Sequence, residues 1–582
     1  MNSFFINKVQ NLRQNLPQNP GDPLHLVQKL MRNRTCNFSL KAVHPDAVLK
    51  ILGKLKGSSS TGIDDIDSNT LKLIKNEISP VLTHIINLSI SNNSFPHTWK
   101  QAKVIPLHKK NEVLYAKNYR PVSLLSVFSK VLERCIFAQV IDYLESNRLL
   151  HPSHHGFRSG HSTLSALVQM FDTWVEAFED EEVTAVIMLD MSAAFDTVDH
   201  DILLKKMALY GFDEAVISWF RSYMTDRTQS VSIEGCLSQP LHLECGVPQG
   251  SILGPLLYIL YTNDLPEAVH GHAPAEEEQL AELHGDYYNI KCKGCGGICL
   301  YADDSTFSIS NKNVEQLKED LEEKYREIAQ YMAKNRLILN SDKTHLLVMT
   351  SARRHRIHQN FGISLNTGTV IIQPQSEERL LGATVSNSLS WNRHIRDSKS
   401  SLLSCLNSRI NGLAKVCQYS SFRNRKMVAN GLFMSYLTYL IPLYGGCPEY
   451  LLSALQILQN RAARLATKSS WYTASAQMLQ QLGWLSVRQM IVFHSLVLVF
   501  KTRINQKPVY LHSQVSAQFN VNTRLAVSHG IRETRRTQSE IDRKSFFPRT
   551  INQWNSLPAD VRSAPSLGKF KMKLKAWVKQ HF

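Results

Sequence analysis

Long apolar runs are missing from this sequence. The most apolar stretch, Met490–Phe500, contains His494 and is shorter than the roughly 20 residues a bilayer takes. The N-terminus, Met1-Asn-Ser-Phe-Phe-Ile6, has no signal-peptide core. The 10 cysteines follow no framework spacing, which excludes a disulfide scaffold and fits a reducing compartment. Paired CxxC units are absent. Cys292-Lys-Gly-Cys295 stands by itself, with Cys299 and nearby histidines as the only further zinc ligands, so a surface insertion is the simpler reading of that stretch. Acids are scarce beside bases: 49 Asp+Glu face 66 Lys+Arg, a net charge of +17 over 582 residues. Such an excess suits a phosphate-lined groove, although a membrane surface or a ribosomal neighbour would attract it equally. A hydrophobic content of 43% excludes wholesale disorder, and the length allows several domains.

The acids that are present fall in telling places. Gly297-Ile-Cys-Leu-Tyr-Ala-Asp303-Asp304 and the following Ser305–Ile309 read as strand, tight turn, strand, with two adjacent carboxylates in the turn. Crowded carboxylates raise each other's pKa, a cost that a divalent cation removes. Ala185-Val-Ile-Met-Leu-Asp190 reads as a buried strand delivering a third carboxylate at its C-terminal edge. Met191–His200 follows with helix-compatible spacing that runs on through Leu204. Side by side in one sheet, these acids can hold two Mg²⁺ ions about 3.5–4 Å apart. Between them, Gly246-Val-Pro-Gln-Gly-Ser251 offers glycines for close backbone approach and Gln249 as donor and acceptor toward a base or sugar edge. An ordinary loop opening a helix, with Ser251 as its cap, would look the same.

Leu189-Asp190-Met-Ser-Ala-Ala-Phe195-Asp196, Gly246–Ser251 and Tyr301-Ala-Asp-Asp304, intact and in this order, resemble the reverse transcriptases of non-LTR (LINE-type) retrotransposons, most closely the jockey-like branch. The resemblance covers nearly the whole chain. It implies an α+β right-hand polymerase: fingers, a palm with an antiparallel catalytic sheet, a helical thumb, and a mostly helical C-terminal extension. The expected divisions are an N-terminal connector (1–56), fingers (57–184), and a palm (185–352) with an insertion at about 267–300. The primer grip and thumb (353–468) and the extension (469–582) follow.

The implied activity is RNA-directed DNA polymerisation on a primer 3′-OH. Asp190, Asp303 and Asp304 would hold two Mg²⁺, with Mn²⁺ as an alternative, and Lys343 would protonate the leaving pyrophosphate. Phe195 would gate the sugar, and Gln249 would line the base and template side. Arg120 and Lys103, in the matching segments Asn118–Ser126 and Trp99–Lys110, would grip the triphosphate. Solvated surface cations, a core phenylalanine and a solvent-facing lysine are the plain alternatives for these four side chains. Arg158, in His155-Gly-Phe-Arg158-Ser-Gly-His161, and Gly250 would lie along the template. His151, His154, His155 and His161 read as template contact or packing rather than zinc ligands.

Implied partners are an RNA template, a DNA primer or target, dNTPs and an element-encoded RNA-binding protein. A ribonucleoprotein in nucleus and cytoplasm would follow, with no membrane association. Where the resemblance places an upstream endonuclease, none is recognisable, nor is an RNase H-like set of acids after the thumb. The expectation is therefore a chain that polymerises without nicking, from an element remnant or fragmentary reading frame. A non-catalytic nucleic-acid-binding remnant is the competing reading.

Further along, Gly57–Ile66 resembles the family's opening segment, before a helix expected over Leu71–Ile78. Leu380–Thr384 and Trp391–Ile395 resemble the primer grip, and 395–468 has the pattern of a basic helical thumb. At the C-terminus, Leu567, Phe570, Leu574 and Trp577 recur at helical spacing after Pro565-Ser566, which outweighs the strand-like alternation of lysines.

Overall fold

A computed structural model describes the chain except residues 15, 18–20, 58–59, 110, 271–296, 352–361, 517–529 and 533–538. The Cys292-Lys-Gly-Cys295 motif and most of the expected insertion lie outside the described residues. The described chain divides into two compact units. The first comprises 1–157, 189–305 and 322–344, and the second 158–188, 306–321 and 345–582.

In the first unit, Gln101–His108 pairs antiparallel with Tyr119–Leu124 and parallel with Arg227–Ile233. Register places Leu107 opposite Arg120 and Lys103 opposite Leu124. The short strand Leu241–Leu243 pairs with Arg227–Ile233 and leads into the Gly246 loop. Helices cover this sheet. Asn2–Gln14 anchors Asn2 by donating to the carbonyls of Gln229 and Gln239. Leu253–Thr262 is buried along almost its whole length.

The helix expected over Leu71–Ile78 differs from that reading. Ser68–Leu73 ends at Ile74, and a new helix, Lys75–Ser91, begins there. Ile74 leaves helical geometry (ψ 23°), and the second helix holds Pro80 inside it at the loss of one backbone hydrogen bond.

The sheet of the second unit runs in the order Pro374–Gln375, His345–Met349, Val183–Leu189, Asp304–Asn311; Ile298–Tyr301, the hairpin strand before Asp304, is counted with the first unit. Val183–Leu189 is buried at every position, as an apolar central strand must be. Its neighbour is the strand that starts at Asp304. The expected adjacency of the Asp190 strand and the Asp303-Asp304 hairpin is therefore found.

Helices dominate the rest of this unit. Leu402–Cys417, Phe422–Ala429 and Glu449–Thr467 occupy the expected thumb. The hairpin Glu377–Leu380/Ala383–Ser386 turns at Gly382 (φ +85°), where a Cβ would come within 2.9 Å of the Tyr439 ring. Tyr439 in turn donates to the Leu381 carbonyl at 2.7 Å.

Ser475–Asn505 has the length and apolar composition of a membrane span. It is two helices, Ser475–Leu482 and Val487–Asn505, separated at left-handed Gly483 (φ +69°). The second buries Val487, Met490, Ile491, Leu496 and Phe500 in the core. The C-terminal segment is the helix Leu567–His581, capped by Ser566, and its Phe570 stacks on Phe500 at 4.0 Å. Only the helical period places Phe570, Leu574 and Trp577 on one buried stripe.

Candidate active site

Asp190 and Asp303 sit just beyond strand ends, and Asp304 opens the next strand. Asp190 follows Val183–Leu189, while Asp303 and Asp304 close the turn after Ile298–Tyr301. The turn depends on Ala302 in the left-handed region (φ +59°). Neighbouring segments brace it. His155 N donates to the Leu300 carbonyl at 2.8 Å, and Leu300 N donates to Ser153 O at 2.9 Å. A Cβ on Gly156 would lie 2.4 Å from the Ala302 nitrogen. The histidine-rich segment therefore packs: His151, His154 and His155 are buried, and His154 Nε2 meets the Thr262 carbonyl at 3.3 Å.

Burial, then Asp303, then Asp190, push the Asp304 carboxyl above its ordinary pKa. Like charges thus converge. Lys343 Nζ donates to Asp190 Oδ2 at 2.8 Å. Its loop is held in place by the Asn340 N–H, which donates to the Asp190 carbonyl at 3.0 Å. Among the described residues no three His, Cys, Asp or Glu side chains close into a ready-made ligand set. The donors on offer are hard carboxylate oxygens, and their mutual repulsion is the cost a hard divalent cation relieves. The residues fit such an ion.

Met191–Val198 is a run of turns rather than the expected helix, which starts only at His200, capped by Asp199. The reason lies in its partners. Val247 N donates to Phe195 O and Gly246 N to Val198 O, both at 2.8 Å, and Ala193 is left-handed (φ +53°). Phe195, half-buried, stacks on Tyr258 at 4.7 Å and meets Phe157 edge-on at 6.3 Å, so its ring is held.

Gln249 Nε2 donates to Asp196 Oδ1 at 2.8 Å, and its carbonyl accepts from Ser123 N at 2.9 Å. Gly250 (φ +125°) has a backbone reason for being glycine, since a Cβ would meet the Ser123 carbonyl at 2.4 Å. Burial pushes Asp196 up to about 6, against the opposing pull of Gln249, Lys8 and Arg120, although part of its surface stays accessible. A cavity of about 670 Å³ beside this pair is lined by Gln249, Asp196, Tyr119, Lys8, Arg13 and Arg227, among others.

The two cations expected at the triphosphate are not together. Arg120 lies close to Lys109, whose ammonium is lowered by partial desolvation and by the charges of Arg120, Lys343 and Lys8. Lys103 stands four rungs away, roughly 14 Å along the strands, with Asp65 3.8 Å from its Nζ. Arg158 belongs to the second unit, where its carbonyl accepts from His161 N at 3.3 Å.

Sequence reasoning missed Lys109 and two buried carboxylates. Asp199 receives Arg13 and Arg336, each at 2.6 Å. Glu133 accepts from the N–H groups of Ile252 (2.6 Å) and Leu253 (3.1 Å), satisfying the exposed donors of a helix start. Lys109 was visible as the end of a basic stretch. Asp199 shows locally only as a helix cap and Glu133 only as a helical neighbour of Ser129, because the partners that bury them lie more than 100 residues away.

Residues 107–385 match the model of the reverse transcriptase (RNA-dependent DNA polymerase) family. Over those residues the chain is similar to reverse transcriptases. Among similar proteins is a probable RNA-directed DNA polymerase from transposon BS of Drosophila melanogaster, 27% identical over 79% of this chain and 48% of that protein. The RNA-directed DNA polymerase from mobile element jockey of the same species is 28% identical over 75% and 45%. A probable RNA-directed DNA polymerase from transposon X-element, also of Drosophila melanogaster, is 24% identical over 78% and 47%. The chain spans about half the length of these relatives. Asp190, Phe195, Gln249, Asp303, Asp304 and Lys343 all lie within the matched reverse transcriptase domain.

Proposed function

We propose that this chain is an RNA-directed DNA polymerase of a non-LTR retrotransposon, adding deoxynucleotides to a primer 3′-OH on an RNA template. The observation that carries the reading is the convergence of Asp190, Asp303 and Asp304, with Lys343 on Asp190. Asp190, Asp303 and Asp304 would hold the divalent ions, Mg²⁺ by preference. When bound, such ions neutralise phosphate charge and lower the pKa of an attacking hydroxyl.

The remaining work falls to side chains of this chain. Arg120 and Lys109 present adjacent cations to the triphosphate, a pairing favoured here over Arg120 with Lys103. Lys343 can exchange Asp190 for a leaving phosphate oxygen and deliver a proton to it. Phe195, fixed on Tyr258, blocks a 2′-OH. Gln249, tethered to Asp196, borders the cavity where a template base would lie.

Primer extension by purified protein on an RNA template with Mg²⁺ and dNTPs tests this, beside the double variant Asp303→Asn/Asp304→Asn. Extension by the parent chain alone is expected. Template binding without extension by either protein would favour a binding remnant instead.

A further inference from the structure

The net charge is unevenly placed along the chain. Residues 401–582 hold 25 Lys+Arg against 5 Asp+Glu, whereas residues 1–400 hold 41 against 44. Between Asp397 and Glu533 the only acidic side chain is Glu449. Within the second unit, Leu402–Cys417 and Glu449–Thr467 lie together in parallel. Arg461 Nη1 donates to Asn407 Oδ1 at 3.0 Å, and Lys468 Nζ donates to the Gln418 carbonyl at 3.1 Å. Their C-terminal ends therefore coincide. Glu449 is at the opposite end of its 19-residue helix, roughly 27 Å away.

At this shared end stand three large aromatic side chains with almost no cover: Tyr419 is 87% exposed, Trp471 78% and Tyr472 96%. They are mounted rather than loose. Arg464 donates from Nε to Ser470 O and from Nη2 to Trp471 O, both at 3.3 Å, and its guanidinium lies 4.9 Å from the Trp471 ring centroid. Lys468, left-handed at φ +55°, turns the chain out of the helix while its ammonium ties this loop to the Tyr419 turn. Lys415, in the last turn of Leu402–Cys417, Arg423, in the first turn of Phe422–Ala429, and Lys468 are exposed at the same end. Exposed rings contribute little to folding, and cations without acids repel one another. Both features are explained by a ligand that offers flat faces and negative charge together.

We propose that this end of the helical bundle binds single-stranded nucleic acid, with unpaired bases stacked on Tyr419, Trp471 and Tyr472 and phosphates held by Lys415, Arg423 and Lys468. A duplex satisfies only half of this chemistry, because its base faces are already stacked on one another. The inference goes beyond the polymerase reading and uses none of its residues.

The test is fluorescence anisotropy with the full chain and labelled single-stranded RNA, single-stranded DNA and duplex, comparing the parent with Trp471→Ala/Tyr472→Ala and with Tyr419→Ala. Single-strand affinity should fall about 10-fold or more in the double variant while duplex affinity holds. Equal losses for RNA and DNA, or a loss for RNA alone, both support the site and identify its natural strand. Trp471→Phe supplies a readout independent of stability. It should keep affinity within about twofold and abolish the part of tryptophan quenching caused by single-stranded oligonucleotide. Unchanged single-strand binding by the double variant, an equal loss toward duplex, or quenching that persists in Trp471→Phe would overturn the proposal.

Discussion

Three side chains beside the acids carry separable consequences. Phe195 is held by Tyr258 and Phe157 and stays half-buried. Phe195→Val should therefore relax discrimination against ribonucleotides by roughly 10- to 100-fold, read as the ratio of kcat/KM for rNTP and dNTP, while dNTP incorporation changes far less. An unchanged ratio would return Phe195 to the core.

Burial pushes Asp196 from an ordinary carboxyl value of 3.8 up to about 6. A raised acid favours the folded state below about pH 4, and that contribution is lost as pH rises through about 6. Asp196→Asn should accordingly stabilise the chain above pH 6, by up to about 3 kcal/mol, and leave it unchanged near pH 4. Urea melts at the two pH values check the sign. Crowding at Asp304 predicts a parallel effect. In EDTA at neutral pH, Asp303→Asn should raise Tm, whereas Mg²⁺ should raise Tm of the parent and not of the variant.

At the scale of elements, the site depends on loops stitched to one another. The Phe195–Val198 turn, the Gly246–Gly250 loop and the Tyr119–Leu124 strand share backbone hydrogen bonds. Helix Leu253–Thr262 is received by Glu133, whose other oxygen accepts from Ser129 at 2.9 Å. Glu133→Ala strands two buried N–H groups and should cost about 2–4 kcal/mol. A chemical-denaturation midpoint within error of the parent would deny Glu133 that role.

Strands and the C-terminal helix were legible because apolar positions repeat with one period, as in Ala185–Leu189 or Phe570–Trp577. The Met191–Val198 turn was not. Its spacing suits a helix, and only hydrogen bonds to residues some 50 positions later unwind it. The break at Ile74 was equally hidden, since nothing local distinguishes it from a helical isoleucine. Of the site, Asp190, Asp303, Asp304 and Lys343 converge as the motifs implied. The separation of Lys103 and Arg120 was not legible, because strand register, rather than composition, sets it.

For the whole molecule, charge is the organising quantity. A chain of net charge +17 whose excess lies entirely after residue 400 should bind nucleic acid in a strongly salt-dependent way. Replacing Lys415, Arg423 and Lys468 by Gln should lower the slope of log K against log[salt] for single strands by about 2–3 and leave the Asp304-dependent chemistry intact. A slope that stays the same would place the phosphate contacts elsewhere.

The central claim is that the carboxylate cluster performs nucleotidyl transfer. It is tested most directly by single-turnover incorporation of one dNTP into a preformed RNA-template/DNA-primer complex, comparing the parent with Asp304→Asn at matched template-primer occupancy. The account predicts a rate at least about 1,000-fold lower in the variant, with template-primer affinity unchanged. Equal rates in the two proteins would contradict it.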